Sequence, residues 1–136
     1  MNNILRTTIN GDSNLGLYGF ATDKYCLVGG HAKGLQAALG VPVHHIPLLN
    51  MDLSGIFVAG NSGSIVVPRI VAEYNMQQLK KHFDSILVLK NRYSALGNLI
   101  LMNDKGVILS PLLKKEKKEI EKFFGLPCAV ATIARQ

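Results

Sequence analysis

Gly97-Asn-Leu-Ile-Leu-Met-Asn103-Asp-Lys-Gly-Val-Ile-Leu-Ser-Pro111 is written three times in outline along this chain. Its counterparts are Gly16-Leu-Tyr-Gly-Phe-Ala-Thr22-Asp-Lys-Tyr-Cys-Leu-Val-Gly29 and Gly55-Ile-Phe-Val-Ala-Gly-Asn61-Ser-Gly-Ser-Ile-Val-Val-Pro68. The leading glycines lie 39 and then 42 residues apart, and a Thr or Asn follows each of them by six residues. Each stretch reads as a β-hairpin, with two short apolar runs flanking a turn rich in Asn, Asp and Gly. Those residues tolerate the backbone angles that tight hairpins demand. The runs Ile56–Ala59, Ser64–Val67, Asn98–Leu101 and Val107–Leu109 are apolar on both faces, the mark of strands covered on both sides.

A helical pattern follows each hairpin. Ala72, Met76, Leu79 and Phe83 fall on one helix face, and Leu113, Ile120, Phe123 and Phe124 mark a similar one. A shorter helix around Ala32, Leu35 and Leu39 stops at Gly40, and Pro42 follows it as Pro127 follows Gly125. A further strand is expected within Val41–Leu49, Ser85–Lys90 and Leu126–Ala134, and an N-terminal strand over Ile4–Ile9. The unit is therefore β-β-α-β, about 40 residues long, at about 1–50, 51–92 and 93–136 within one α+β domain spanning 1–136. Such a unit leaves apolar faces that only its neighbours can cover.

Hydrophobic residues make up 48% of the 136, enough for a real core. No apolar run approaches the roughly 18 residues of a membrane span, and the N-terminus lacks the layout of a signal peptide. A soluble, intracellular protein without a membrane partner is expected. Cys26 and Cys128 each sit in an apolar stretch and read as buried thiols. The net charge of +6 lies wholly in the second half: residues 69–136 hold twelve Lys and Arg against six Asp and Glu, while residues 1–68 balance. An anionic partner such as RNA and a solvated helix face both fit that asymmetry.

Ser94-Ala-Leu-Gly-Asn98 followed by Asn103-Asp-Lys-Gly106 resembles the translation initiation factor six family of archaea and eukaryotes. Tyr25-Cys-Leu-Val28 is similar to that family's first hairpin, and Gly60-Asn61 with Gly63 and Val67-Pro68 to its second. Val130-Ala-Thr-Ile-Ala134 resembles its third repeat boundary. The resemblance implies a pentein-type propeller, five β-β-α-β repeats about a pseudo-fivefold axis, of which about three are present here as an incomplete ring. It implies a non-enzymatic cytoplasmic factor on the intersubunit face of the large ribosomal subunit, blocking small-subunit joining and serving subunit biogenesis. The implied partners are an L14-type ribosomal protein and rRNA near the sarcin–ricin loop. Carried over, Asn98 is the best single contact, with Ser94 and Tyr93 beside it; the competing reading is that Asn98 merely begins a strand.

The chain departs from the family in being about two repeats shorter and in its basic second half. Expectations for the first departure are a truncated product, completion by another chain, or an open arc that self-associates through its edges. An incomplete interaction module without ribosome binding of its own is the alternative function. Penteins also include amidine hydrolases with a nucleophilic Cys, a His and a carboxylate. No motif pairs Cys26 or Cys128 with His31, His44, His45 or His82, so no catalytic residue or cofactor is assigned. His44 and His45 should point to opposite faces of a strand, one buried and one exposed, so no metal is assigned. Lys114, Lys115, Lys117 and Lys118 are candidate rRNA contacts; the competing reading is a solubilising helix face, because Glu116, Glu119 and Glu121 interrupt them at helical spacing.

Overall fold

The computed structural model describes residues 4–132. They form three small sheets with the same wiring. In the first, β1 (Gly19–Ala21) pairs antiparallel with β2 (Cys26–Val28), a short helix α1 (Leu35–Leu39) follows, and β3 (Val43–His45) adds parallel to β2. In the second, a helical turn α2 (Ser54–Phe57) leads into β4 (Ala59–Gly60) and β5 (Ile65–Pro68), and α3 (Arg69–Lys80) crosses over to β6 (Ile86–Leu89). In the third, β7 (Ile100–Met102) and β8 (Val107–Leu109) form the hairpin, and α4 (Lys117–Phe124) crosses over to β9 (Cys128–Val130). The α+β class read from the sequence holds, and each sheet follows the β-β-α-β order.

The helix stops are those the sequence marks. Gly40 and Gly125 take left-handed angles, φ 68° and 65°, and each closes its helix with a backbone bond. Several boundaries differ. Ile56 and Phe57, expected in a strand, belong to α2, whose Ser54 hydroxyl donates to the Ile46 carbonyl at 2.6 Å. Asn98 ends a 3-10 turn, Leu96–Asn98, before β7 begins. The lysine stretch opens as a 3-10 helix, Pro111–Glu116, capped by the Ser110 hydroxyl, and turns α-helical only at Lys117. The expected strand over Ile4–Ile9 is reduced to one bridge, Ile9 to Asp12. The last strand ends at Val130; Ile133 and Ala134 lie outside the described residues.

The centre of each sheet is a three-residue row: Phe20–Leu27–His44, Ala59–Val66–Leu87 and Leu101–Ile108–Ala129. Each of the first two rows is covered by the next unit. Leu27, at 0% exposure, packs with Ile65, Val67, Val71 and Leu79. Val66, also at 0%, packs with Leu109, Leu113 and Ile120. Full burial of side chains of this size contributes about 1.5–3 kcal/mol apiece. Two of the three core clusters are thus shared between consecutive units, and the third, built on Ile9, Tyr18, Cys26 and Val28, is centred in the first. The third row is different: Leu101 is 55% exposed and Ile108 half-buried.

The leading glycines mark where the units meet. A Cβ on Gly55 would strike the backbone carbonyl of Gly16, and one on Gly97 would strike that of Gly55. The turns carrying Gly16, Gly55 and Gly97 are therefore stacked backbone on backbone. That close approach explains why the Ile56–Phe57 run coils rather than extends: α2 packs against the 3-10 turns Leu15–Leu17 and Leu96–Asn98 on either side.

Candidate functional site

Two surfaces gather the chemistry that the sequence singles out. The first is the row of hairpin turns. Thr22, Asn61 and Asn103, six residues after their glycines, each close a turn. Thr22 Oγ1 accepts from the amides of Lys24 and Tyr25, both at 3.1 Å. Asn61 Oδ1 accepts from Gly63 and Ser64, both at 3.0 Å, and Asn103 Oδ1 from Lys105 and Gly106 at 2.8 and 3.0 Å. The turns also bind one another. The Tyr25 hydroxyl donates to the Asn61 carbonyl at 2.9 Å, and the Ser62 amide and hydroxyl donate to Asp104 at 2.8 and 2.7 Å. The Ser62 bonds hold the Asp104 carboxyl below its ordinary range, and burial raises the Tyr25 phenol far above its own. These turns ring a hollow of about 440 Å³.

The second surface carries the resembled contact residues. Tyr93 and Ser94 line a cleft of about 340 Å³ with Arg69, Glu73, Asn91 and Arg92. Ser94 is exposed and Tyr93 half-buried. Asn98 is exposed too, but it sits on the 3-10 turn beside α2 and does not line the cleft. Arg92 is fixed over Tyr93, with its guanidinium carbon 5.1 Å from the ring centre and Nη2 donating to the hydroxyl at 3.0 Å. Within α3, Arg69 Nε donates to Glu73 at 3.2 Å.

The lysine stretch adjoins this cleft. Asn91 Nδ2 donates to Glu116 Oε1 at 3.1 Å, joining the cleft loop to the start of α4. Glu116 Oε2 is buried with no hydrogen-bond partner. Lys117 pairs with Glu121 at 3.1 Å, while Lys114, Lys115 and Lys118 are exposed and make no ion pair among the described residues. The extensive i,i+3 and i,i+4 neutralisation expected of a continuous helix is therefore reduced to one pair, because Lys114 and Lys115 sit on a 3-10 helix and Glu116 is engaged elsewhere.

The thiols face conditions opposite to those of a catalytic nucleophile. Cys26 is buried and Cys128, expected to be buried, is half-buried; neither is in a disulfide. Burial raises both thiol pKa values, and Glu121 raises that of Cys128 further. His44 is half-buried, not fully buried, with its ring 4.5 Å from that of His82. Burial and then the His82 charge lower its pKa. His45 is exposed and stacks on His31 at 3.9 Å. Among the described residues no three His, Cys, Asp or Glu side chains gather as a metal site, and no helix is long and apolar enough to cross a membrane.

The cleft arginines escape sequence reasoning. Arg69 and Arg92 are 23 residues apart, and each alone is an ordinary surface charge. The only local signal is that Arg92-Tyr93 directly precedes the conspicuous Ser94–Asn98 stretch.

A family model described as the eIF-6 family matches residues 4–136. Translation initiation factor 6 of Pyrococcus furiosus is 35% identical over 132 residues, which cover 88% of this chain and 58% of that protein. Translation initiation factor 6 of Thermococcus gammatolerans is 34% identical over 143 residues, covering 96% and 63%. The Staphylothermus marinus protein of the same name is 32% identical over 133 residues, covering 90% and 59%. The chain thus spans about three-fifths of the length of the curated relatives it matches.

Proposed function

The chain belongs to the eIF-6 family, and from that premise we propose that it is a non-enzymatic translation factor that binds the large ribosomal subunit and hinders its association with the small one. The observation that carries the reading is the family match across residues 4–136, with relatives named translation initiation factor 6. The three like-wired units support a pentein-type arrangement, in which they form part of a five-unit ring. On this reading Tyr93, Ser94 and Asn98 face an L14-type ribosomal protein, with rRNA near the sarcin–ricin loop close by, and the factor works in the cytoplasm in biogenesis and anti-association. The exposure of Ser94 and Asn98 fits a protein contact. The raised thiol pKa values favour binding over cysteine catalysis.

A second reading has its own support. The chain spans about three-fifths of its relatives' length, and the outer row of the third sheet is open. Residues 1–136 would then be an interaction module that needs further units before it binds ribosomes. Co-sedimentation with purified large subunits separates the two: binding by residues 1–136 supports the first, and protein left at the top of the gradient supports the second.

A further inference from the structure

The units cover one another in a fixed direction. Leu27, at the centre of the first sheet, packs under Ile65 and Val67 of β5 and Val71 and Leu79 of α3. Val66, at the centre of the second, packs under Val107 and Leu109 of β8, with Leu113 and Ile120 beyond. In both joints the covering surface is alternate residues of a middle strand together with the helical segment that follows it. The corresponding surface of the first unit is Cys26 and Val28 of β2 with Leu35 and Leu39 of α1. These four line a groove of about 190 Å³ that no charged residue lines. Among the described residues no row of another sheet packs against it, and Leu39 is 39% exposed. At the opposite end, the row Leu101–Ile108–Ala129 lies open beside a hollow of about 590 Å³. Gly16 repeats the pattern. A methyl on Gly55 or Gly97 would strike the carbonyl of the leading glycine before it, whereas one on Gly16 would meet nothing within 4 Å. The chain thus carries at its two ends the two halves of a joint that it makes twice internally.

We propose that a second copy of this chain completes the joint, the first unit of one molecule docking head to tail on the third sheet of another. Leu35 and Leu39, over a floor of Cys26 and Val28, then cover Leu101 and Ile108, and Gly16 stacks on the turn of Gly97. Charge sets the same polarity as shape. Residues 1–68 are net neutral and residues 69–136 carry the whole excess of +6. A head-to-tail contact therefore brings a neutral half to a basic one, while a tail-to-tail contact would set two basic halves together. The contact is heterologous, so each pairing leaves one head and one tail free, and association continues into a ring or an open series. This inference concerns the ends of the unit series and is independent of ribosome binding.

The test is light scattering of residues 1–136 and of two variants, each blocked at one end. Gly16→Gln fills the head where the turns would stack, and Leu101→Lys places a charge on the tail. Both positions are exposed, and circular dichroism melting checks that both variants fold. The wild type should grow past the mass of a dimer as its concentration is raised, and each variant alone should stay a monomer. Mixed in equal amounts, the two variants should form a species of twice the monomer mass. The intact tail of the Gly16→Gln variant accepts the intact head of the Leu101→Lys variant, and both remaining ends are blocked. A mixture no heavier than its separate components overturns the proposal, because a contact between like surfaces cannot be rescued in this way. A wild type that stays monomeric overturns it too, as does either variant associating alone to the extent of the wild type.

Discussion

At the residue scale, the glycines at 55 and 97 answer a packing requirement. The bare Cα of Gly55 and of Gly97 lets the preceding unit's turn approach to backbone contact, and a methyl on Gly97 would meet the carbonyls of both Gly55 and Ile56. Gly97→Ala should therefore cost roughly 1–3 kcal/mol, the usual range for an overpacked interior, seen as a lower Tm. Gly16→Ala is the internal control, because nothing lies within 4 Å of its added methyl; it should change stability by no more than about 0.5 kcal/mol. Equal effects at the two positions would remove the stacking account. One residue further on, Asn98 is exposed on the turn that this stacking fixes. If it meets a ribosomal protein in a desolvated contact, Asn98→Arg should lower subunit affinity by more than about tenfold, since an unpaired buried charge costs about 2–5 kcal/mol. Its Tm should match the wild type. Unchanged binding by the folded variant would move the contact elsewhere.

At the scale of elements, the units are covered in series, and the third sheet is the one whose outer row is open. Leu101 and Ala129 are the exposed members of that row, and the counterparts of Leu101, Phe20 and Ala59, lie under the following unit. A polypeptide of residues 1–136 should self-associate through this face as its concentration rises, and Leu101→Lys should lower the mass seen by light scattering. A wild type that stays monomeric over a tenfold concentration range would show that the face needs no cover. How far these elements could be read from sequence follows from what fixes each. The hairpin turns were legible because Thr22, Asn61 and Asn103 fold their turns with their own side chains. The stops at Gly40 and Gly125 were legible because left-handed angles favour glycine. Helix α2 was not, because Ile56 and Phe57 suit a strand locally and coil only where neighbouring backbones press on Gly55. The 3-10 start at Pro111 was hidden for a related reason: helical periodicity does not separate the two helix types over six residues. The Arg69–Arg92 cleft was invisible because it exists only once the β5–α3 and β6–β7 connections lie side by side.

At the scale of the whole molecule, three like-wired sheets place their hairpin turns in one row and their glycine turns in another. The Tyr93–Ser94 cleft, its arginines and the lysine turn share a surface held together by the bond between Asn91 and Glu116. That arrangement suits a factor that works by occupying a surface, which under the proposed function is on the large ribosomal subunit. The most direct measurement mixes purified large and small subunits with an excess of residues 1–136 under joining conditions and resolves them on a sucrose gradient. The protein should travel with the free large-subunit peak, and the joined-ribosome peak should shrink as protein is added. Protein remaining at the top of the gradient, with an undiminished joined peak, would contradict it.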